Sequence, residues 1–181
     1  SVAQNSVVGV GPIVVLSGRI GRIDVAGDLS ITDPRGGIRV RDGIGTITAR
    51  RLTGSVFANT GQHPLDALPG LGDLISLRCT QFSGALFARC LGAPGREMCL
   101  QADSVQASLS LAGGVSGAIL IHENAVLDVW SGGTIDAVLV GGTMSCSSLQ
   151  TGGDIGLLDI GGSLAADPFF GCGGMRVRAG G

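Results

Sequence analysis

The feature that most constrains the fold is a long internal repeat. Residues 20–43, IGRIDVAGDLSITDPRGGIRVRDG, return near the other end of the chain as residues 155–180, IGLLDIGGSLAADPFFGCGGMRVRAG. With two small gaps, the copies share an opening Ile-Gly, an Asp in the first predicted strand, Gly-x-Leu, Asp-Pro, Gly-Gly and a final Arg-Val-Arg-x-Gly. A repeat of this length predicts that the chain stacks similar structural units.

Within each unit, the first predicted strand carries apolar residues at offsets 0, 3 and 5. Alternation of this kind is typical of half-buried strands, and the glycines that follow permit the sharp corners between them. One unit cannot bury its own apolar face, so equivalent residues should form ladders along a shared interior. These residues are Ile20, Ile23 and Val25; Ile44, Ile47 and Ala49; Leu74, Leu77 and Cys79; Ile135, Val138 and Val140; and Ile155, Leu158 and Ile160.

The pattern predicts an all-β fold, a parallel β-solenoid, in the form of a right-handed three-sided β-helix of about six to seven coils. Residues 1–181 are predicted to form a single domain, in which each coil has three short strands. Two Pro- and Gly-rich segments, residues 59–73 and 90–99, are predicted to leave the solenoid as loop excursions, and loops of this kind often carry function. The predicted units are a partial first coil at 1–19 and coils at about 20–43, 44–70, 71–103, 104–133, 134–153 and 154–181.

The second and third strands of the coils have signatures of their own. The second strand is predicted at residues 53–58, 83–88 and 116–121, where Ser or Thr and then Gly precede an apolar run. The third strand is predicted to end in Gly, as at residues 38–43, 126–132 and 175–180.

The composition excludes several other classes of protein. The 33 glycines have no three-residue period, which excludes collagen, and the 44% apolar content excludes a disordered chain. A formal net charge of −2 gives no reason to expect a nucleic-acid partner. No apolar run approaches the roughly 18 residues of a membrane span, so none is expected.

The five cysteines allow two interpretations. Cys90 and Cys99 bracket eight residues and form a candidate disulfide, which would indicate an oxidising compartment. Alternatively, all five are small buried apolar side chains. The cysteines and histidines do not have the spacing of a zinc site, and the sequence predicts neither a metal nor a cofactor.

A search for catalytic groups yields no constellation, and the sequence predicts that the protein is not an enzyme. Asp24 and Asp159 share one position in the repeat, but about five coils, or roughly 24 Å, should separate them. Candidate residues for contact with a ligand or partner are His63, Asp66, Asp73 and Arg96 in or beside the excursions, and Trp130 in a third strand. With one Trp, five Phe and no Tyr, the chain has little aromatic surface for sugars.

The repeat I-G-x-I-x-V-x-G-x-L resembles the Gly-rich repeats of bacterial surface and secreted proteins of the parallel β-helix class, and more loosely those of autotransporter passengers. The resemblance covers nearly the whole chain, but it concerns architecture and repeat style. It implies an extracellular or cell-surface location in a bacterium. Activities in this class range from adhesion and scaffolding to polysaccharide cleavage.

The ends of the predicted solenoid suggest a function. A monomeric solenoid needs polar capping elements, and the sequence has no recognisable cap. We therefore expect a structural extracellular protein that associates with itself end to end in a fibre, sheath or surface rod, or else a piece of a longer solenoid. The alternative is a β-helix that binds or acts on carbohydrate, such as a lyase, a phage-spike depolymerase or an adhesin passenger.

Overall fold

The computed structural model describes residues 7–10, 13–15, 18–31, 37–58, 72–145, 147–165 and 176–180. These residues form strands and corners and contain no helix. The strands are β1 (Val7–Val10), β2 (Ile13–Val15), β3 (Ile20–Asp24), β4 (Asp28–Ile31), β5 (Ile38–Val40), β6 (Ile44–Thr48), β7 (Arg51–Phe57), β8 (Leu74–Arg78), β9 (Gln81–Ala88), β10 (Leu91–Gly92), β11 (Met98–Ala102), β12 (Ser104–Leu111), β13 (Val115–Ile121), β14 (Ala125–Ser131), β15 (Ile135–Val140), β16 (Met144–Ser145), β17 (Ser148–Thr151), β18 (Ile155–Ile160), β19 (Leu164–Ala165) and β20 (Arg176–Ala179).

The strands belong to two hydrogen-bonded sheets, and every pairing between strands is parallel. The smaller sheet contains β3, β6, β8, β10, β11, β13, β15 and β18, and the larger sheet contains the other twelve strands. The chain crosses from one sheet to the other and back about every 20 residues, and each return adds a parallel strand beside the previous one. The predicted all-β parallel solenoid is therefore confirmed, while its right-handedness and three-sided cross-section stay predictions.

The pairing register of the smaller sheet marks where each turn begins. Starting residues pair in succession, and they enclose about six turns: Ile20, Ile44, Leu74, Leu91, Val115, Ile135 and Ile155.

The turns differ from the predicted coils in the middle of the chain. A turn begins at Leu91, inside the predicted excursion 90–99, because β10 and β11 both pair with β8 on one side and β13 on the other. Only the short connection between β10 and β11 leaves the sheet. The segment 116–121, predicted as a second strand, lies in β13 of the smaller sheet and pairs with β15.

The apolar offsets 0, 3 and 5 form the predicted ladders. Ile23 pairs with Ile47, and Ile47 pairs with Leu77, all inside the solenoid. Ile47 and Leu77 are fully buried. Burial of a side chain of this size stabilises the fold by about 1.5–3 kcal/mol, so the stacked ladders are the main source of its stability.

Close backbone stacking explains the Gly in the second-strand signature. Gly54 and Gly84 pair with each other in β7 and β9, and their φ angles are +114° and +154°. A Cβ on Gly84 would lie 1.9 Å from the carbonyl oxygen of Gly54. Only glycine fits both the backbone conformation and the space.

Hydroxyl groups that point into the solenoid are satisfied by the corners of the turn before. The Ser131 hydroxyl donates a hydrogen bond of 2.8 Å to the carbonyl oxygen of Gly113. The Thr151 hydroxyl, one turn later in the same column, donates to the carbonyl oxygen of Gly133. A buried polar group that is hydrogen-bonded in this way carries little penalty.

Candidate functional site

The last turn of the solenoid exposes residues that belong to its interior ladders. Leu164 of β19 pairs with Met144 of β16, and Val177 of β20 pairs with Leu149 of β17. Met144 and Leu149 are fully buried, whereas Leu164 is 59% exposed and Val177 is 51% exposed. The difference arises because no further turn among the described residues covers the last one.

The outermost strands also have open edges. Within the described residues, β19 and β20 pair only with the strands of the preceding turn, and β1 and β2 pair only with those of the following turn. β18 and β3 are the corresponding edge strands of the smaller sheet. Unpaired N–H and C=O groups along such an edge can accept another strand. We call the edge formed by β19 and β20 the trailing edge, and that formed by β1 and β2 the leading edge.

A second surface is a column of side chains along the outer face of the larger sheet. The rings of Phe57 and Phe87 stack, with their centroids 4.8 Å apart and their planes within 5°. The guanidinium carbon of Arg39 lies 4.9 Å from the centroid of Phe57, in cation–π contact. The register aligns eight residues in this column, one per rung: Val14, Arg39, Phe57, Phe87, Ser110, Trp130, Gln150 and Arg178.

Trp130 stands beside an open groove of about 400 Å³ on this face. The indole is half exposed, and Gln150 and Arg178 line the same groove. An aromatic surface flanked by an amide and a guanidinium suits a polar ligand with an apolar face.

Asp73 takes part in an ion pair instead of standing free. The Arg89 guanidinium donates to its carboxylate through Nε at 2.9 Å and Nη2 at 2.7 Å. This hydrogen-bonded pairing lowers the pKa of Asp73 and raises that of Arg89. Both side chains line a cleft of about 370 Å³, together with Arg19 and Cys90.

The predicted disulfide is not formed in the structure, where Cys90 and Cys99 are both free thiols. Cys99 begins the core part of β11, and its Sγ lies 3.3 Å from the carbonyl oxygen of Ala118, to which it donates. Burial raises the pKa of Cys99 to about 12. Cys90 precedes β10 and lines the Asp73 cleft on the outside, so the strand between the two residues separates them.

The predicted ligand residues do not come together in one site. Asp73 and Arg96 line two different clefts beside the smaller sheet, and Trp130 lies on the larger sheet. His63 and Asp66, most of the excursion 59–73, Cys146 and Cys172 lie outside the described residues.

Sequence reasoning missed the exposed ladder residues and the aromatic column. The signal for Leu164 was its place in the Gly-x-Leu element of the repeat, which aligns it with Leu29. No comparable signal aligns Phe87 with Trp130, because the turns between them differ in length.

No metal site is evident within the described ranges, where no three His, Cys, Asp or Glu side chains lie close enough together to hold an ion. No helix of the described residues is long and apolar enough to cross a membrane.

Comparisons of the chain with models of protein families, with curated proteins and with solved structures give no match. The fold therefore defines the class: this chain is a parallel β-solenoid protein.

Proposed function

We propose that this chain is a structural protein that assembles end to end into a rod, with the trailing edge of one copy stacked on the leading edge of the next. In this proposal the protein has a structural role and is not an enzyme. The observation that carries it is the exposure of Leu164 and Val177, which occupy columns that are fully buried one turn earlier. A further turn placed on them would remove this apolar surface from water, at about 25 cal/mol per Å².

The leading edge has apolar residues in the same columns. The column of Val177 runs back through the larger sheet to Ile13 of β2, and the column of Leu164 runs back to Val8 of β1. In a stack, Val177 would therefore meet Ile13 of the next copy, and β19 would lie beside β1 of that copy. Both ladders would continue across the junction without a change in residue class.

The shapes of the two edges also agree. In the middle turns each passage through the larger sheet is one continuous strand, as in β9 and β12. At the two ends the passage is split into a pair of short strands, β1 and β2 at the leading edge and β19 and β20 at the trailing edge. In a stack, the pair β19 and β20 would lie beside the pair β1 and β2 of the next copy, so that each short strand would face one short strand.

This contact is heterologous, because two different surfaces meet, and it propagates without closing. The larger sheet contributes eight rungs per copy and the smaller sheet seven. The axial repeat should therefore be eight rungs, or about 38 Å at the usual strand spacing of about 4.8 Å. The described residues supply no strand for the eighth rung of the smaller sheet.

An extracellular location on a bacterium belongs to the proposal and rests on the resemblance of the repeat. The Cys90–Cys99 bridge would have indicated an oxidising compartment, but both thiols are free in the structure.

The test combines electron microscopy with a complementation experiment. Wild-type protein should form rods with an axial repeat of about 38 Å. The double variant Leu164→Asp/Val177→Asp and the variant Ile13→Asp should each be monomeric, because each removes one edge. An equal mixture of the two should form dimers and nothing larger, since one intact junction remains.

Leu157→Asp is the matched control. Leu157 is also half exposed on the last turn, but it shares a column with Ala137 outside the buried ladders. This variant should still form rods. Monomeric wild-type protein at high concentration, rods from either edge variant, or a mixture that stays monomeric would each overturn the proposal.

A second candidate function, carbohydrate binding, is favoured by one observation. Trp130 is half exposed beside Gln150 and Arg178 in a groove on the aromatic column. Trp130 is the single tryptophan of the chain, so its fluorescence reports directly on this groove. Titration with neutral and acidic polysaccharides should change the emission of wild-type protein, and unchanged emission with all of them would count against this function.

A further inference from the structure

The outer face of the smaller sheet carries a small cleft near the start of the solenoid. Its volume is about 190 Å³. Its lining consists of three arginines and three hydroxyl residues, with no carboxylate: Arg22, Thr46, Thr48, Ser76, Arg78 and Arg96.

The register of three neighbouring strands assembles most of this cleft. Thr46 of β6 pairs with Arg22 of β3 on one side and Ser76 of β8 on the other. Two residues further along the same strands, on the same outer face, Thr48 pairs with Arg78. Neighbouring strands lie about 4.8 Å apart, so the hydroxyl of a threonine and a guanidinium group on the next rung can reach the same bound group.

Arg96 is brought over the sheet by a tight turn between β10 and β11. The Arg96 amide donates to the carbonyl oxygen of Ala93 at 3.1 Å, and Gly95 has a φ of +80°. Pro94 and Gly95 thus occupy the central positions of a type II turn, which both residues favour. The turn packs closely against β13 at Gly117. A Cβ at this position would lie 2.6 Å from the Arg96 carbonyl oxygen, so glycine is needed for the close approach.

The charges around the cleft leave a positive excess. Arg22 forms an ion pair with Asp24. Arg78 and Arg96 form no ion pair with any described residue. Glu97 is exposed on the turn beside Arg96, outside the cleft lining. Two guanidinium groups are thus available to an anion.

Ser76 adds a hydroxyl donor to the cleft. It is only 2% exposed, it lines the cleft, and its hydroxyl has no hydrogen bond to the part of the chain that the structure describes. An oxyanion in the cleft would accept a hydrogen bond from this hydroxyl.

We propose that this cleft binds an oxyanion, a sulfate or carboxylate group, held by Arg78, Arg96 and the hydroxyl of Ser76. Guanidinium groups bind both oxyanions through paired, charge-assisted hydrogen bonds. The volume is below the roughly 300 Å³ at which pockets for drug-sized ligands begin, so the cleft fits one anionic group. That group arrives either as a free ion or as a substituent of an acidic polysaccharide.

The test measures binding of sodium sulfate and of dextran sulfate by calorimetry at low ionic strength, with unsulfated dextran as the reference. The variants Arg78→Gln and Arg96→Gln should each weaken binding by about tenfold, the effect of losing one charge-assisted contact. Arg41→Gln is the matched control, because Arg41 is exposed and has the same charge but lies outside the cleft. It should change binding by less than about twofold.

Binding of sulfate alone identifies a site for the free ion, and binding of dextran sulfate alone identifies one for the polymer; either result supports the proposal if the variants behave as expected. Equal weakening by Arg41→Gln would show non-specific attraction and would overturn it. Absence of binding by both probes would also overturn it. Circular dichroism of each variant verifies that the solenoid is intact.

Discussion

Met144 and Leu164 pair with each other on neighbouring turns, yet Met144 is fully buried and Leu164 is 59% exposed. Both belong to one column of apolar side chains that runs through the larger sheet. Their environments differ because Met144 has a turn on each side, whereas Leu164 has one neighbouring turn among the described residues. Whether an apolar side chain of this fold is buried therefore depends on its having a neighbouring turn on both sides, as well as on its position within the turn.

The first prediction compares alanine substitutions at these two positions. Met144→Ala leaves a cavity between two turns and should lower the free energy of unfolding by about 2–5 kcal/mol. Leu164→Ala removes a side chain that is mostly in water and should cost less than about 1 kcal/mol. Urea unfolding of dilute, monomeric protein measures both values, and equal losses would contradict the assigned burial.

Much of the fold could be predicted from the sequence, because a ladder position tolerates only apolar residues and so leaves a visible pattern. The offset in the repeat alone aligns Ile23, Ile47 and Leu77, and the structure pairs them in this order. The turn that begins at Leu91 was missed, since β10 is two residues long and the Pro94-Gly95 turn interrupts the pattern after it. The Pro- and Gly-rich composition of residues 90–99 is typical of a loop, so the sequence predicted a loop excursion there.

The surfaces were harder to predict than the core. Outward positions are not restricted to one residue class, so no periodicity marks them. Arg22, Thr46 and Ser76 share offset 2 of the first strand and could have been grouped by that alone. Phe87 and Trp130 could not, because they fall into one column, on either side of Ser110, only once the unequal turns between them are placed in register.

The second prediction concerns Asp28, which lies in β4 under two arginines. The Arg50 guanidinium donates to its carboxylate at 2.8 Å, and Arg51 lies 3.6 Å away. The hydrogen bond from Arg50 is the main cause that lowers the pKa of Asp28. A carboxylate with a lowered folded pKa stabilises the protein above its unfolded pKa of about 3.9, and this stabilisation is lost as the pH falls through the folded value.

Asp28→Asn should therefore reduce the urea midpoint clearly at pH 7, and the loss should shrink progressively as the pH falls below about 3.9, because the wild-type protein loses this stabilisation as the pH approaches and passes the lowered folded pKa. Asp159→Asn serves as the control, since Asp159 is exposed and forms no ion pair within the described ranges. A pH-independent effect of Asp28→Asn would contradict the ion-pair explanation.

The third prediction concerns the order in which thiols react. Burial raises the pKa of Cys79 and of Cys99 to about 12, so at pH 8 only about one thiol in ten thousand is ionised. Cys90 lines an open cleft. Among the three cysteines that the structure describes, iodoacetamide should modify Cys90 first and Cys99 last in the folded protein, as read by peptide mapping. All three should react at similar rates in urea, and early modification of Cys99 without denaturant would contradict its place in the core.

The fourth prediction uses two glycines that occupy the same column on neighbouring rungs. Gly45 of β6 stacks directly above Gly21 of β3, and a Cβ on Gly45 would lie 2.0 Å from the Gly21 carbonyl oxygen. A Cβ on Gly21 would meet no atom within 4 Å. Gly45→Ala must push two hydrogen-bonded strands apart and should cost about 1–3 kcal/mol or more. Gly21→Ala makes the same chemical change on the outermost rung and should be nearly neutral. Thermal unfolding of dilute protein compares the two, and a similar loss from both would mean that the substitution acts through backbone flexibility and not through close stacking of the rungs.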